Sequence, residues 1–388
     1  MKKINLSFFF HNAKKHDIVF SGIVLLLCAA LYFLPTGFED RLQQGSENVE
    51  GKVISIDNSQ FERHGFVISG SQGLEVEILH GKWAGETVRC GNHFLGKMEL
   101  DRVFVPGDRV LVNITSGAAE IVSANAADFY RLRIELVLVL VFALFLLAYG
   151  GFFGFQAILS FVFSTLMLWK VMIPLMLKGV NPVLLSFIVV CVLSAVILFL
   201  VAGLNKKGVV AFLGAAIGLG ITSVLGIIWT TPFRINGAVR PFSETLLYSG
   251  FIGLDLTAIF ISGVVLSASG AVMDLAMDIS AAMNEIAKQN PLISRKNLFL
   301  SGNNIGRSVI GTMTTTLLLA YSGSYLAMLM LFMGQGIPTS NILNMSYVAA
   351  EILHTIAGSF GLVLVAPITT IIGALMYIPL KQKVASDE

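Results

Sequence analysis

The chain has 388 residues, 55% of them hydrophobic and 13% charged, with a mean hydropathy of +0.79. That composition leaves too little polar surface for a soluble globule and implies an integral membrane protein whose charges gather in particular segments. The formal net charge of +2, with no long basic run, excludes a nucleic-acid-binding surface.

Three cysteines, Cys28, Cys90 and Cys191, are too few and too scattered for a disulfide framework or a zinc site. No His, Asp or Glu cluster has metal-ligand spacing, and nothing reads as a phosphate loop, so neither a metal nor a cofactor is expected.

A span needs about 20 mostly apolar residues. Eight segments qualify: residues 17–35, 134–150, 152–173, 182–203, 208–230, 250–273, 308–333 and 351–379. The first reads as an uncleaved anchor behind a short N-terminus, 1–16. No small-x-small site precedes Pro35, and "LLLC" lacks the small residue expected before a lipidated cysteine.

Residues 36–130 then form a long polar loop. Its segments "VEGKVISI", "GFVIS", "LEVEIL", "ETVRC", "DRVFV" and "DRVLVNI" read as short strands separated by Gly, Asn or Asp, with "VPGD" as a tight turn. The expectation is a small all-β domain, an OB-like barrel or a sandwich. With about 14 acidic and 8 basic side chains, it is a poor partner for a phosphate backbone. His64 and His80 stand alone. Such a domain suits docking of a protein partner better than chemistry.

The seven later spans would make up a membrane domain over 131–380. Lys2, Lys3, Lys14 and Lys15, Lys206 and Lys207, Lys288, Arg295, Lys296 and Arg307, and Lys381 and Lys383 all fall on one side if both termini are cytoplasmic. Arg234, Arg240 and Lys178 are the exceptions. The fold class is therefore an all-α membrane bundle of about eight transmembrane helices, N-in and C-in, carrying an extracytoplasmic β-domain. A tail over 381–388 completes it.

The sixth span should continue as a helix to Asn290–Pro291, and the next should start near Ser294, giving a hairpin over 274–306. On the first arm Asp274, Asp278 and Glu285 lie within roughly 40° of one another. On the second, Asn303, Arg307, Thr314, Tyr321 and Tyr325 do the same. Gly302 and Gly306 form a small-xxx-small pair that permits close helix approach. Folding at Pro291 is expected to bring Asp278 or Asp274 to Arg307, either as a structural ion pair or as a gate or coupling site. Thr312, Thr314, Thr315 and Thr316 point several ways, which suggests a helix ringed by others and glued to them.

Asp255, Glu351 and His354 are the remaining polar points, at the outer ends of spans six and eight. They would line a vestibule or reach headgroups, and an imidazole can respond to protons. Pro367 should kink the last span. Gly250, Gly253, Gly263 and Gly270 thin the sixth, a pattern common where transporters bind solutes and also commoner in membrane helices generally. "GAAIG" at 214–218 reads as a packing contact.

The runs "GFIGLDLTAIFISGVVLSASGAVMDLAMDISAAMNEI", "SGNNIGRSVIGTMTTTLLLAYSGS" and "AEILHTIAGSFGLVLVAPITT" together resemble the YibE/F family of bacterial multipass membrane proteins. The resemblance is dense over 250–375 and extends more loosely to the anchor and β-domain, as in the family's longer members. One departure is Thr315, where the family's run leads one to expect Asn. The resemblance implies a bacterial cytoplasmic (inner) membrane location. It transfers no activity, substrate or catalytic residue.

Three functions compete. The first is a transporter or permease component, not an enzyme, for a small polar or ionic solute, with Asp255, Asp274, Asp278, Asn303, Arg307, Thr314, Tyr321 and His354 along the path. The second is a scaffold or envelope-assembly factor whose β-domain docks a partner. The third, an intramembrane hydrolase, rests on "LSASG" at 266–270 and His354. Against it, Ser267 replaces the motif's first Gly, and Ser269 is expected far below His354.

Overall fold

The computed structural model describes residues 15–41, 46–116 and 120–378. Lys2, Lys3, Lys14, Lys381, Lys383 and the tail 381–388 lie outside the described residues. The chain divides into two compact units, 37–145 and the remainder.

The smaller unit is built on β1 (Ser46–Asp57), β2 (Phe61–His64), β3 (Val67–Ile78), β4 (Thr87–His93), β5 (Arg109–Ser116) and β6 (Ile121–Phe129). The sheet order is β1-β5-β6-β4-β3-β2. An added β1–β3 pairing closes five of these strands into a barrel, with β2 as a flap on β3. Closure removes the sheet edges that would otherwise invite pairing with another chain. Alternate residues point inward, so Val76 and Ile78, and Val110, Val112 and Ile114, are fully buried.

Two strand expectations are corrected. "GFVIS" and "LEVEIL" belong to one long strand, β3. "DRVFV" is not a strand: its backbone pairs with side chains instead of a ladder. Gln72 donates to the Phe104 carbonyl at 2.9 Å and accepts from the Phe104 amide at 3.1 Å, and Asn92 donates to the Arg102 carbonyl at 2.7 Å. Those bonds hold the fully buried Phe104 ring as a plug in the barrel. The expected "VPGD" turn forms, with the Asp108 carboxylate accepting from the Val105 amide at 2.8 Å.

At the barrel's exit, Asp128 accepts from Arg131, which holds its carboxyl below the usual carboxylate range. The buried Glu50 carboxylate pairs with Arg109, and its Oε2 lies 3.1 Å from Arg133 Nη2 and 3.4 Å from His80. Arg133 lies in the first turn of α2 (Leu132–Gly150), an apolar helix with no buried residue. Burial pushes the Cys90 thiol up to about 11, so it is an inert core residue.

The larger unit is helical. It contains α1 (Lys15–Phe33), α3 (Phe152–Leu177, with a π turn at Leu168–Met172), α4 (Pro182–Ala202) and α5 (Lys206–Thr230). These are followed by α6 (Ser243–Tyr248), α7 (Leu256–Gln289), α8 (Arg295–Gly323), α9 (Leu326–Gly334), α10 (Thr339–Asn344) and α11 (Ser346–Tyr377). Helix starts follow capping chemistry. Asn181, Asn205, Asp255 and Ser294 each accept from the amide three residues on. Pro182 occupies the first helical position, where a missing amide hydrogen costs nothing.

Among the described residues, seven helices are long and apolar enough to cross a membrane: α1, α2, α3, α4, α5, α7 and α11. The expected span 308–333 is not one rod. It is the pair α8 and α9, bent by 67° at Ser324–Tyr325, and an eighth span only if the pair counts as one. The sixth span also starts later than expected, because Asp255 caps α7; Gly250 and Gly253 precede that helix. Pro367 lies within a continuous α11.

Helices α5, α7 and α11 form the centre of the bundle, flanked by α4 and α8. Small residues set the spacing. A Cβ built on Gly214 would sit 2.0 Å from Thr369 Oγ1, and one on Gly361 would sit 1.8 Å from Thr222 Oγ1. "GAAIG" is thus the α5–α11 contact. Gly302 and Gly306 of α8 do the same job, against Met283 and Thr370, and against Ile279 and Ala366.

Candidate functional site

The glycine contacts also explain why the expected ion pair fails. Ile279 and Met283 face α8, while Asp278 and Asp274 lie about 100° and 140° around α7 from Ile279. Arg307 is likewise about 100° around from Gly306. All three charged residues are exposed, and none makes an ion pair among the described residues. The hairpin forms as expected, but its carboxylates do not reach its arginine.

The depth of these charges is notable. Gly306 packs on Ala366 and Gly218 on Val365, so Arg307 stands level with Gly218. That is about 18 Å along α5 from Lys206, near the middle of a 25-residue helix. Asp274 lies near that level, two residues past Val272, which touches Gly218, whereas Asp278 lies a turn nearer the Lys206 end, because Ser280 donates to the Lys207 carbonyl at 2.7 Å.

The threonines also correct expectation. Thr312, Thr314, Thr315 and Thr316 donate to carbonyls three or four residues back on their own helix. They satisfy themselves and glue nothing. Thr312, Thr315 and Thr316 are exposed, so α8 is not ringed by other helices. Thr314 lines a shallow groove between α8 and α11, and Asn303 is half-buried on the same flank. Asp255, besides its capping role, lines a largely apolar cavity of about 650 Å³ between α4, α5 and α7.

The polar groups converge elsewhere, at the bundle end carrying residues 231–255. Arg240 follows a tight turn at Gly237–Val239, which tucks against the start of α7. Its Nη1 donates to the Tyr325 hydroxyl at the α8–α9 break and to Glu351 Oε2 at 3.4 Å. Its Nη2 lies 2.8 Å from His354 Nδ1. His354 Nε2 in turn lies 2.6 Å from Ser267 Oγ on α7. Tyr321 stacks on the imidazole, ring centroids 4.2 Å apart. Glu351 and His354 sit one turn apart on α11, with side chains only 13% and 10% exposed, so water shields the network little.

A guanidinium has donors only. His354 Nδ1 must therefore accept from Arg240, which leaves the ring proton on Nε2, pointing at Ser267. The Ser267 hydroxyl accepts from it and donates its own O–H to the Val264 carbonyl at 3.0 Å. A serine hydrolase needs the reverse, an unprotonated Nε2 and a donor Nδ1 held by a carboxylate. Here Glu351 Oε2 stays 3.5 Å from Nδ1, behind the closer Arg240. Beyond Arg240 opens a cavity of about 400 Å³, lined by Arg240, Tyr325, Tyr347 and Ser324 among others.

Of the residues expected to carry function, His354 and Tyr321 belong to this cluster. Asp274, Asp278, Asn303, Arg307, Thr314 and Asp255 do not. Ser267, which departs from the serine motif, is the hydroxyl that meets His354; Ser269 bonds its own helix. Arg240 was missed. Its one signal was being a cation on the wrong side of the lysine and arginine bias.

No curated protein and no solved structure matches the chain. The family of YibE/F-like proteins matches residues 138–379, from within α2 to the end of α11. That stretch is well over half of the chain and contains every member of the cluster, so the chain belongs to the YibE/F-like family of multipass membrane proteins.

Proposed function

We propose that this protein is a permease component for a small polar or ionic solute, not an enzyme, and that the Arg240–Glu351–His354 cluster is its gate. The supporting observation is the cluster itself. An ion network shielded among helix ends is costly and tends to be kept where it serves a pathway. It also opens onto a cavity of solute size. In this reading the end bearing Lys206, Lys207, Arg295 and Lys296 faces the cytoplasm of a bacterial inner membrane, and Arg240 faces outward. The locked histidine tautomer speaks against hydrolysis. The test is uptake by proteoliposomes across a broad panel of amino acids, sugars, carboxylates and inorganic ions. Flux that Arg240→Gln abolishes is expected; no flux and no thermal shift with any solute would end the reading.

A second reading, assembly of two copies, is favoured by the bare charges at mid-bundle. Arg307 and Asp274 cannot both stay unpaired in hydrocarbon. Arg307 of one copy facing the acidic flank of another would neutralise them. Cross-linking in native membranes should trap a dimer, lost in Arg307→Asp and recovered in Arg307→Asp with Asp274→Arg. A wild-type chain that stays monomeric in membranes rules this assembly out.

A further inference from the structure

We propose that the cluster couples one proton to one small anion with paired oxygen acceptors, a carboxylate or similar oxyanion, which Arg240 engages in the adjoining cavity when His354 is protonated. The inference rests on the permease reading and names its solute class and coupling ion.

Charge balance is the starting point. The groups facing His354 are Arg240 from the 237–241 segment, Glu351 on its own helix, Ser267 on α7 and Tyr321 on α8, with Tyr325 behind Arg240. Arg240 and Glu351 cancel, and His354 is neutral in the tautomer that Arg240 imposes. A cation has no place beside the guanidinium, and an anion arriving alone would leave the cluster net negative. An anion arriving with a proton leaves it balanced.

The geometry says where the proton goes. Nδ1 is the free lone pair of the imidazole, held only by the Arg240 contact at 2.8 Å. A proton from solution adds there, and no other bond to hydrogen breaks. Two donors then face each other at hydrogen-bond distance, so the Arg240–His354 contact must open. The new Nδ1–H has an acceptor at hand in Glu351 Oε2, 3.5 Å away. Imidazolium thus replaces guanidinium as the partner of Glu351. Arg240 is set free beside a cavity of about 400 Å³ that Tyr325, Tyr347 and Ser324 also line. A guanidinium fork with hydroxyl donors is the chemistry that holds two oxygens of one anion.

The test uses the full chain in nanodiscs, in weakly buffered solution with a pH-indicating dye, and acetate as the probe. Acetate binding is expected to take up about one proton per site, with affinity falling about tenfold for each unit of rising pH. His354→Gln mimics the neutral tautomer, since its amide offers one acceptor to Arg240 and one donor to Ser267. It should bind acetate weakly, without proton uptake and with no pH slope. Acetate binding without proton uptake overturns the proposal, as does a His354→Gln variant that keeps the slope, or a folded wild-type protein that does not bind acetate. The wild-type stoichiometry decides the matter even where the variant fails to accumulate. Solute flux without proton-linked acetate binding defeats this coupling and leaves the permease reading standing; proton-linked binding without any flux does the opposite.

Discussion

Gly237→Ala should be among the most damaging single methyl groups that can be added to this protein. A Cβ at Gly237 would lie 1.7 Å from the Leu256 carbonyl oxygen and 2.0 Å from its carbon. Both are backbone atoms of the first turn of α7, so no side-chain rotation relieves the clash. Either the 237–241 segment lifts off or the α7 start unwinds, and both displace Arg240, whose amide bonds to the Gly237 carbonyl. Overpacking typically costs 1–3 kcal/mol and more where backbone must move, so we expect a loss of about 3 kcal/mol and poor accumulation. Gly263→Ala is the control. Nothing lies within 4 Å of its added Cβ, and it sits inside α7, where alanine favours the helix by up to about 1 kcal/mol. Thermal unfolding in detergent measures both. Equal melting temperatures for the two variants would refute the close approach of the segment to α7.

Arg240→Gln should be the most damaging change within the cluster. It removes the cation while leaving Glu351 13% exposed beside His354. Breaking a buried pair from one side typically costs 3–5 kcal/mol. The Arg240 side chain is 29% exposed, so the expected loss is smaller, about 2–3 kcal/mol. Glu351→Gln should cost a comparable amount by stranding the arginine. The double variant should recover part of the loss, because neither charge is left alone. A coupling of about 1–2 kcal/mol in this cycle is the expected reading. Strictly additive losses would mean that Arg240 and Glu351 do not sense each other, and the gate would lose its physical basis.

The architecture was largely legible because its signals are local. Long apolar runs can be satisfied only by spanning helices. Ser294 and the Asn290–Pro291 stop act within one helical turn, and the "VPGD" turn acts within four residues. "DRVFV" misled because its alternation is that of a strand, yet its backbone partners, Gln72 and Asn92, lie 10 or more residues away in sequence. The break at Ser324–Tyr325 was likewise hidden. It lies within an apolar run, and Tyr325 there is tethered by Arg240, 85 residues earlier.

The site was legible only in part, and the reason is geometric. Helical periodicity correctly placed Asn303, Arg307 and Tyr321 on one flank of α8, and Asp274 and Asp278 on one flank of α7. It could not say how the two flanks are turned toward each other. The sequence alone therefore settled the class of protein, the β character of the polar loop, the hairpin about Asn290–Pro291 and the small-residue contacts, since each follows from interactions within a few residues or from the cost of bare backbone in lipid. Only the tertiary structure decided that Gly302 and Gly306, not Arg307, face α7. It alone put a loop arginine between Glu351, His354 and Tyr325, because the rotation of one packed helix against another is set by close contacts between residues distant in the chain.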